Sequence, residues 1–258
     1  MEAVVSVSMA MCHMYQQIIK NRTCMSWLIK SSIGRKLVMS ISGLALILFL
    51  TFHMSMNLVA LFSEEGYNAV CEFLGANWYA LVATVGLALL FVVHIVYAFI
   101  LTIQNRRARG NDRYEVVDRP KGVEWASQNM MALGIVVILG LALHLFNFWA
   151  KMQLAEITGQ HDLGISGVTG PTDGAGLIRY TFSNPIFVVL YLVWLGALWF
   201  HLAHGFWSSL HTIGFNNKVW FDRLHKISNV YTTLIVLGFA AVVVYYFLLS
   251  LCGGACSL

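Results

Sequence analysis

The sequence predicts an all-α integral membrane protein, a single bundle of five transmembrane helices. Of its 258 residues, 59% are hydrophobic and only 11% are charged, and the mean hydropathy is +0.72. A soluble domain carries about 25% charged residues, so this composition excludes a water-soluble fold. The second observation is a set of five separate apolar stretches, each of which can cross about 30 Å of hydrocarbon.

The five predicted spans follow one another along the chain with connections of unequal length. Their approximate bounds are 37–62, 77–104, 124–152, 184–212 and 228–251. The fourth span opens with Ser183, Asn184 and Pro185, a pattern typical of a capped helix start with proline in the first turn. The connection over 153–183 contains six glycines, and we expect it to be irregular because glycine clusters mark loops.

Basic residues predict the orientation of this bundle. The chain divides into an amino-terminal flank of residues 1–30 and a transmembrane domain of residues 31–258. Of the 16 Lys and Arg residues, 14 lie in this flank, at the start of the transmembrane domain, or in the second and fourth connections. Cytoplasmic segments of membrane proteins carry such an excess. The amino terminus is therefore predicted to be cytoplasmic and the carboxyl terminus to lie outside. The net charge of +4 is too small to indicate a nucleic-acid partner.

Four histidines inside the spans are the candidate functional residues. His53, His94 and His144 lie deep in the first three spans, and either His201 or His204 lies deep in the fourth. Ionisable side chains are costly in lipid and usually mark a site. One such histidine is commonly structural, but four on successive spans are typical of ligands.

The depth of these histidines predicts how they pair. Each lies about three to six residues beyond the middle of its span, and successive spans run in opposite directions. The first and third spans therefore carry His53 and His144 toward the outer side, whereas the second and fourth carry His94 and His201 toward the cytoplasm. The sequence thus predicts two stacked sites of two histidines, roughly 12 Å apart at 1.5 Å per residue.

Two imidazoles within an apolar bundle fit haem better than zinc. Zinc prefers four ligands, or three and a water, and no Cys, Asp or Glu lies at matching depth in these spans. Haem iron needs two axial ligands, and its porphyrin suits an apolar bundle core. The predicted cofactors are two b-type haems. Gly140 and Gly205 lie four residues from His144 and His201. Missing side chains there can serve ordinary helix packing, but beside the histidines we favour room for the macrocycle and take both glycines as cofactor-binding residues.

The choice between His201 and His204 stays open at this stage, with the spacing to Gly205 favouring His201. The two are three residues apart on a helix and therefore point about 60° from one another. Only one of them can face the ring.

The pattern resembles the di-haem cytochrome b membrane subunit of succinate dehydrogenases and fumarate reductases that use menaquinone. The resemblance covers about residues 27–251 and rests on Ser40-x2-Gly43-x9-His53-Met54, His94, Gly140-x3-His144 and His201-x3-Gly205-Phe206-Trp207. It implies a single five-helix anchor in the bacterial cytoplasmic membrane, within a respiratory electron-transport complex. It also implies an outer haem on His53 and His144 and an inner haem on His94 and His201.

The resemblance further implies partners, a substrate and additional site residues. A flavoprotein subunit and an iron–sulfur subunit would bind the cytoplasmic face, and electrons would pass between them and menaquinone. Some family members use a glutamate after the first helix for quinone protonation; Glu72 is the candidate here, although Glu64 and Glu65 lie in the same acidic stretch. Candidates for the inner haem propionates are Arg35, Lys36, Ser40 and His211.

Two alternatives remain beside this interpretation. One is the haem b subunit of a hydrogenase or a formate dehydrogenase, which a nickel or molybdenum partner would identify. The other is a haem-free transporter whose histidines line a polar pathway, which the lack of a b-type absorption band would identify.

Overall fold

A computed structural model describes residues 31–109, 125–215 and 217–253 of the chain. All regular structure in these ranges is helical, and five helices are long and apolar enough to cross a membrane. The prediction of an all-α bundle with five spans is therefore confirmed, and the chain is a multi-pass membrane protein. The amino-terminal flank over 1–30 and most of the basic second connection lie outside the described residues.

Besides the five spanning helices, two short helices lie at one end of the bundle, one after the first span and one before the fourth. In chain order, the helices are α1 (Ser32–Leu58), α2 (Glu64–Phe73), α3 (Trp78–Arg109), α4 (Trp125–His144), α5 (Gly174–Phe182), α6 (Pro185–Thr212) and α7 (Lys218–Leu251). A 3₁₀ turn, Val59–Leu61, extends α1. The first residue of α6 is Pro185, and the Asn184 side chain accepts a hydrogen bond from the Ile186 backbone N–H at 2.9 Å, as expected for a capped start.

The last helix begins ten residues before the predicted bound at residue 228. Asn217 caps α7 by accepting a hydrogen bond from the Trp220 backbone N–H at 2.8 Å. The first turns of α7 carry charged residues such as Asp222 and Arg223. Hydropathy detects the part of a helix that lies in lipid, so a polar extension beyond the membrane escapes it.

Beyond His144, α4 continues as a π-helix over Leu145–Leu154 and ends in a last α-helical turn, Ala155–Ile157. A π-helix is wider than an α-helix and is often found at functional sites. Its side chains project at different angles from those of a regular α-helix. Two of them, Asn147 and Gln153, are buried polar groups within this segment.

The connection over 153–183 was expected to be irregular. This expectation was wrong over Gly174–Phe182, which forms the short helix α5. Asp173 caps α5, since its carboxylate accepts a hydrogen bond from the Gly176 backbone N–H at 3.0 Å. A side chain at Gly174 would collide with Cys71 and Tyr67 of α2, so glycine permits close packing of α5 on α2. Gly174 therefore serves a helix contact rather than loop flexibility.

Within the bundle, α1 and α6 are the central helices. The helix α1 packs against α3, α6 and α7, whereas α6 packs also against α4 and α7. Large apolar side chains remain exposed on the periphery, among them Leu48 at 72%, Val82 at 66% and Val193 at 64%. Such exposure on every spanning helix is expected where lipid is the solvent.

Candidate functional site

The structure brings the four histidines together as two couples. The rings of His53 on α1 and His144 on α4 have centroids 5.8 Å apart and lie at 83° to each other. The rings of His94 on α3 and His201 on α6 have centroids 6.4 Å apart at 68°. These are the two pairs that follow from depth and alternating helix direction, and both couples face inward.

Each couple bridges two helices that do not pack closely along their lengths. Close backbone packing occurs between α1 and α3, α1 and α6, and α4 and α6. The couples instead join α1 to α4 and α3 to α6. The imidazoles of each couple thus meet across two helices whose backbones do not pack closely on each other.

The structure places His201, rather than His204, opposite His94. The ring of His204 instead lies against Trp207, with centroids 5.1 Å apart and an edge-to-face geometry. The Nδ1 atom of His201 is buried and has no hydrogen-bond partner among the described residues. A buried polar atom without a partner is costly, so the described part of the protein leaves one nitrogen of this ring unsatisfied.

An aromatic shell surrounds the outer couple of His53 and His144. Phe49 stacks on His53, with ring centroids 5.5 Å apart and an angle of 12°. On the other side, Phe148 and Trp194 lie 5.2 and 5.8 Å from His144. These rings exclude water from the couple and offer the apolar surface that a porphyrin requires.

A chain of polar groups connects the outer couple with the short helix α2. The Asn57 amide donates a hydrogen bond to the backbone carbonyl of His53 at 2.8 Å and lies 3.5 Å from its Nδ1. The Tyr67 hydroxyl in turn donates to Asn57 Oδ1 at 3.1 Å. Asn57 thereby ties the position of the His53 turn to α2.

The inner couple has a closer polar partner. The Ser42 hydroxyl on α1 lies 3.2 Å from His94 Nδ1 and donates a hydrogen bond to the Met39 carbonyl at 3.0 Å. The next residue, Gly43, leaves space for this ring, since a Cβ there would lie 3.3 Å from His94 Cε1. Sequence reasoning missed Ser42, although the helical neighbourhood of Gly43 in the motif could have indicated it.

The glycines near the histidines differ in what they accommodate. Beside Gly140, the space is taken by the indole of Trp194, with which a side chain at this position would collide. Gly205 faces open space, since nothing lies within 4 Å of the position that a Cβ would take there. The structure therefore shows Gly140 as a helix-packing contact, which was one of the two interpretations of its sequence, and leaves room beside Gly205.

The propionate candidates lie toward the opposite end of the bundle from α2 and α5. Ser40 is buried, Lys36 is exposed, and Arg35 is partly buried with an Nε atom that lacks a partner among the described residues. His211 lies at the end of α6, 5.8 Å from the ring of Phe221. Ser40 and Arg35 thus offer hydrogen-bond donors on α1 below the inner couple.

The acidic residues after α1 have different surroundings. Glu72 is exposed on α2, as is Glu65, whereas Glu64 forms an ion pair with Arg179 of α5. The hydrogen bond from Arg179 to Glu64 is also the main reason that the pKa of Arg179 is raised. Glu64 is therefore a structural link between α2 and α5, and Glu72 presents its carboxylate at the surface of α2.

A further carboxylate, Glu156, was not singled out from the sequence. Its side chain accepts a hydrogen bond from the Ala76 backbone N–H at 2.9 Å, and nearby Gln153 donates to the Gly75 carbonyl at 3.0 Å. These contacts attach the end of α4 to the connection between α2 and α3. Glu156 therefore has a structural role that depends on tertiary contacts and that spacing alone does not reveal.

Asp173 holds the α5 cap in its ionised form. Burial by itself raises the pKa of this carboxyl, but hydrogen bonds from the backbone of Thr169 and Gly176 and from the side chains of Asn68 and Thr169 outweigh it, and the net pKa is lowered. Nearby, burial raises the pKa of the Cys71 thiol to about 11. Cys71 is thus a neutral thiol that packs against α5.

In comparisons with known proteins, no family model, no curated protein and no solved structure matched the chain. The functional interpretation therefore rests on the residues and geometry of this chain.

Proposed function

We propose that this protein is a di-haem cytochrome b, the membrane anchor of a succinate:menaquinone oxidoreductase or fumarate reductase. The single observation that carries the proposal is the pair of histidine couples, each joining two non-adjacent helices inside an apolar bundle. Two imidazoles are the donor set that a b-type haem takes from a protein, so each couple could hold one haem.

Each couple of histidines would hold one haem. His53 and His144 would ligate the outer haem, and His94 and His201 the inner one. Haem bound in this way supplies reversible one-electron chemistry. The protein itself supplies ligation and exclusion of water through the aromatic shell of Phe49, Phe148 and Trp194, while Ser40 and Arg35 offer donors for the propionates.

The orientation predicted from the basic residues would place the two couples toward opposite sides of the membrane. Lys and Arg are concentrated in the amino-terminal flank and in the second and fourth connections, and such segments face the cytoplasm. The couple of His94 and His201 then lies nearer the cytoplasm, and the couple of His53 and His144 nearer the outer side. This arrangement suits electron transfer between a cytoplasmic donor and a site near α2 and α5.

The proposal includes partner subunits that would carry out the dicarboxylate chemistry. A flavoprotein subunit and an iron–sulfur subunit would dock on the basic cytoplasmic face. Menaquinone would react near the outer couple, where Glu72 is an exposed carboxylate on α2 that can exchange protons with the quinone. Reduction of one quinone consumes two electrons and two protons, and the reverse reaction releases them.

The test is a haem count on the purified protein, with identification of the subunits that purify with it. A pyridine haemochrome assay should give two haems b per polypeptide, together with a flavoprotein that has succinate or fumarate activity. A count of zero would refute the proposal and favour a transporter. Two haems with a nickel or molybdenum subunit would refute the succinate assignment.

A further inference from the structure

Ser42 lies beside the inner couple, and its single hydroxyl proton limits how His94 can be protonated. The Ser42 side chain is only 2% exposed, so its bonding is complete within the protein. Its oxygen lies 3.0 Å from the Met39 carbonyl and 3.2 Å from His94 Nδ1. A hydroxyl has one proton to donate and two lone pairs with which to accept.

The backbone carbonyl of Met39 determines the direction of the Ser42 hydroxyl proton. A backbone carbonyl only accepts hydrogen bonds, so the contact with Met39 requires the Ser42 proton. With that proton given to Met39, a lone pair of Ser42 Oγ faces His94, which favours a proton on Nδ1 of His94 in this hydrogen bond. A neutral imidazole protonated on Nδ1 has its lone pair on Nε2.

The contact of Gly43 holds the same edge of the ring. A Cβ at Gly43 would lie 3.3 Å from His94 Cε1 and 3.8 Å from Nδ1, so a side chain at this position would crowd the Nδ1–Cε1 edge of the ring. The absence of a side chain lets the ring approach Ser42. Ser42 and Gly43 therefore lie at the same edge of the His94 ring.

We propose that Ser42 is a positioning residue that holds His94 in its Nδ1-protonated tautomer, which reserves Nε2 for axial ligation of the inner haem. This inference rests on the proposed function. Hydrogen bonds to the far nitrogen of a ligating histidine orient the ring and raise its basicity, and their loss typically weakens metal binding about 10- to 100-fold. A more basic imidazole also stabilises ferric iron, so the hydrogen bond lowers the reduction potential of the inner haem.

The experiment compares Ser42→Ala with the wild-type protein, each purified with its partner subunits. Redox titration should show an inner haem with a higher midpoint potential in Ser42→Ala, and haem dissociation at the inner site should be about 10- to 100-fold easier. The outer haem should keep its potential. A matched control is Ser250→Ala on α7, which removes a similar bond to a carbonyl three residues earlier far from the inner couple and should change neither haem.

A second pair of variants separates the hydroxyl from the shape of the side chain. Ser42→Thr keeps the hydroxyl, and Ser42→Val has the same shape as Ser42→Thr without it. The potential of the inner haem should remain close to the wild-type value in Ser42→Thr and rise in Ser42→Val. Equal potentials in these two variants, or an unchanged inner haem in Ser42→Ala, would overturn the inference.

The outcomes also distinguish this inference from the proposed function. Wild-type protein without haem would refute the proposed function itself. Wild-type protein with two haems whose properties do not depend on the Ser42 hydroxyl would refute only the role of Ser42. The potential of the inner haem is the deciding quantity, because a merely structural serine would change the yield of protein without shifting that potential.

Discussion

Replacement of Gly140 by alanine should destabilise the bundle, because the space beside this residue is occupied by the Trp194 indole. A Cβ at this position would collide with Cγ, Cδ1 and Nε1 of the indole. The indole is rigid and donates a hydrogen bond to the Val137 carbonyl at 3.1 Å. It therefore cannot move away without losing that bond.

The magnitude follows from three opposing contributions. Overpacking costs about 1–3 kcal/mol, and loss of a hydrogen bond costs about 1 kcal/mol. Alanine in place of a helical glycine recovers roughly 0.5–1 kcal/mol. The net loss is about 1–3 kcal/mol, which corresponds to a decrease in melting temperature of roughly 3–9 °C at about 3 °C per kcal/mol.

The assay is thermal unfolding of the purified complex in detergent, followed by size-exclusion chromatography. Gly196→Ala on α6 is the matched control, since nothing lies within 4 Å of a Cβ there, and it should leave the melting temperature unchanged or raise it slightly. In a Trp194→Ala background, Gly140→Ala should lose most of its cost. A melting temperature of Gly140→Ala equal to that of Gly196→Ala would show that the indole does not fill this space.

Three further predictions concern the couples, the quinone and the α5 cap. His144→Ala should remove the outer haem and spare the inner one, whereas His94→Ala should do the reverse; low-temperature difference spectra would show which band disappears, and loss of both haems from each variant would contradict independent couples. Glu72→Gln should slow quinol turnover while both haems remain, and unchanged turnover would remove Glu72 from the reaction. Because the pKa of Asp173 is lowered in the folded protein, its contribution to stability is present above its ordinary pKa and is lost as the pH falls through the lowered value; Asp173→Asn should therefore flatten the acid limb of a plot of melting temperature against pH, and an identical acid limb would refute that role.

The number and nature of the spans could be predicted from composition and hydropathy alone. The spans fall close to their predicted bounds wherever the helix ends near the membrane surface, as at Pro185. The predicted last span was shorter than α7, because the segment after Asn217 is helical but too polar to register as a span. It was wrong at Gly174–Phe182, where glycines allow α5 to pack on α2.

The pairing of the histidines also followed from the sequence, because depth depends only on position along a helix and on alternating direction. Rotation about the helix axis is a different quantity, and it decides which side chain of a turn faces the core. The choice of His201 over His204 is of this kind, as is the contact of Ser42 with His94. Both depend on which neighbours each helix meets.

The sequence by itself determined that the chain is a multi-pass membrane protein with five apolar spans, and it predicted which imidazoles meet as pairs. These properties are sums over residues along one helix, and the membrane imposes them through its thickness and its lack of hydrogen-bonding partners. Only the tertiary structure decided that Ser42 and Gly43 hold His94 and that Trp194 fills the space beside Gly140. Such contacts depend on helix rotation and on the shapes of facing side chains, which no periodicity within a single segment specifies.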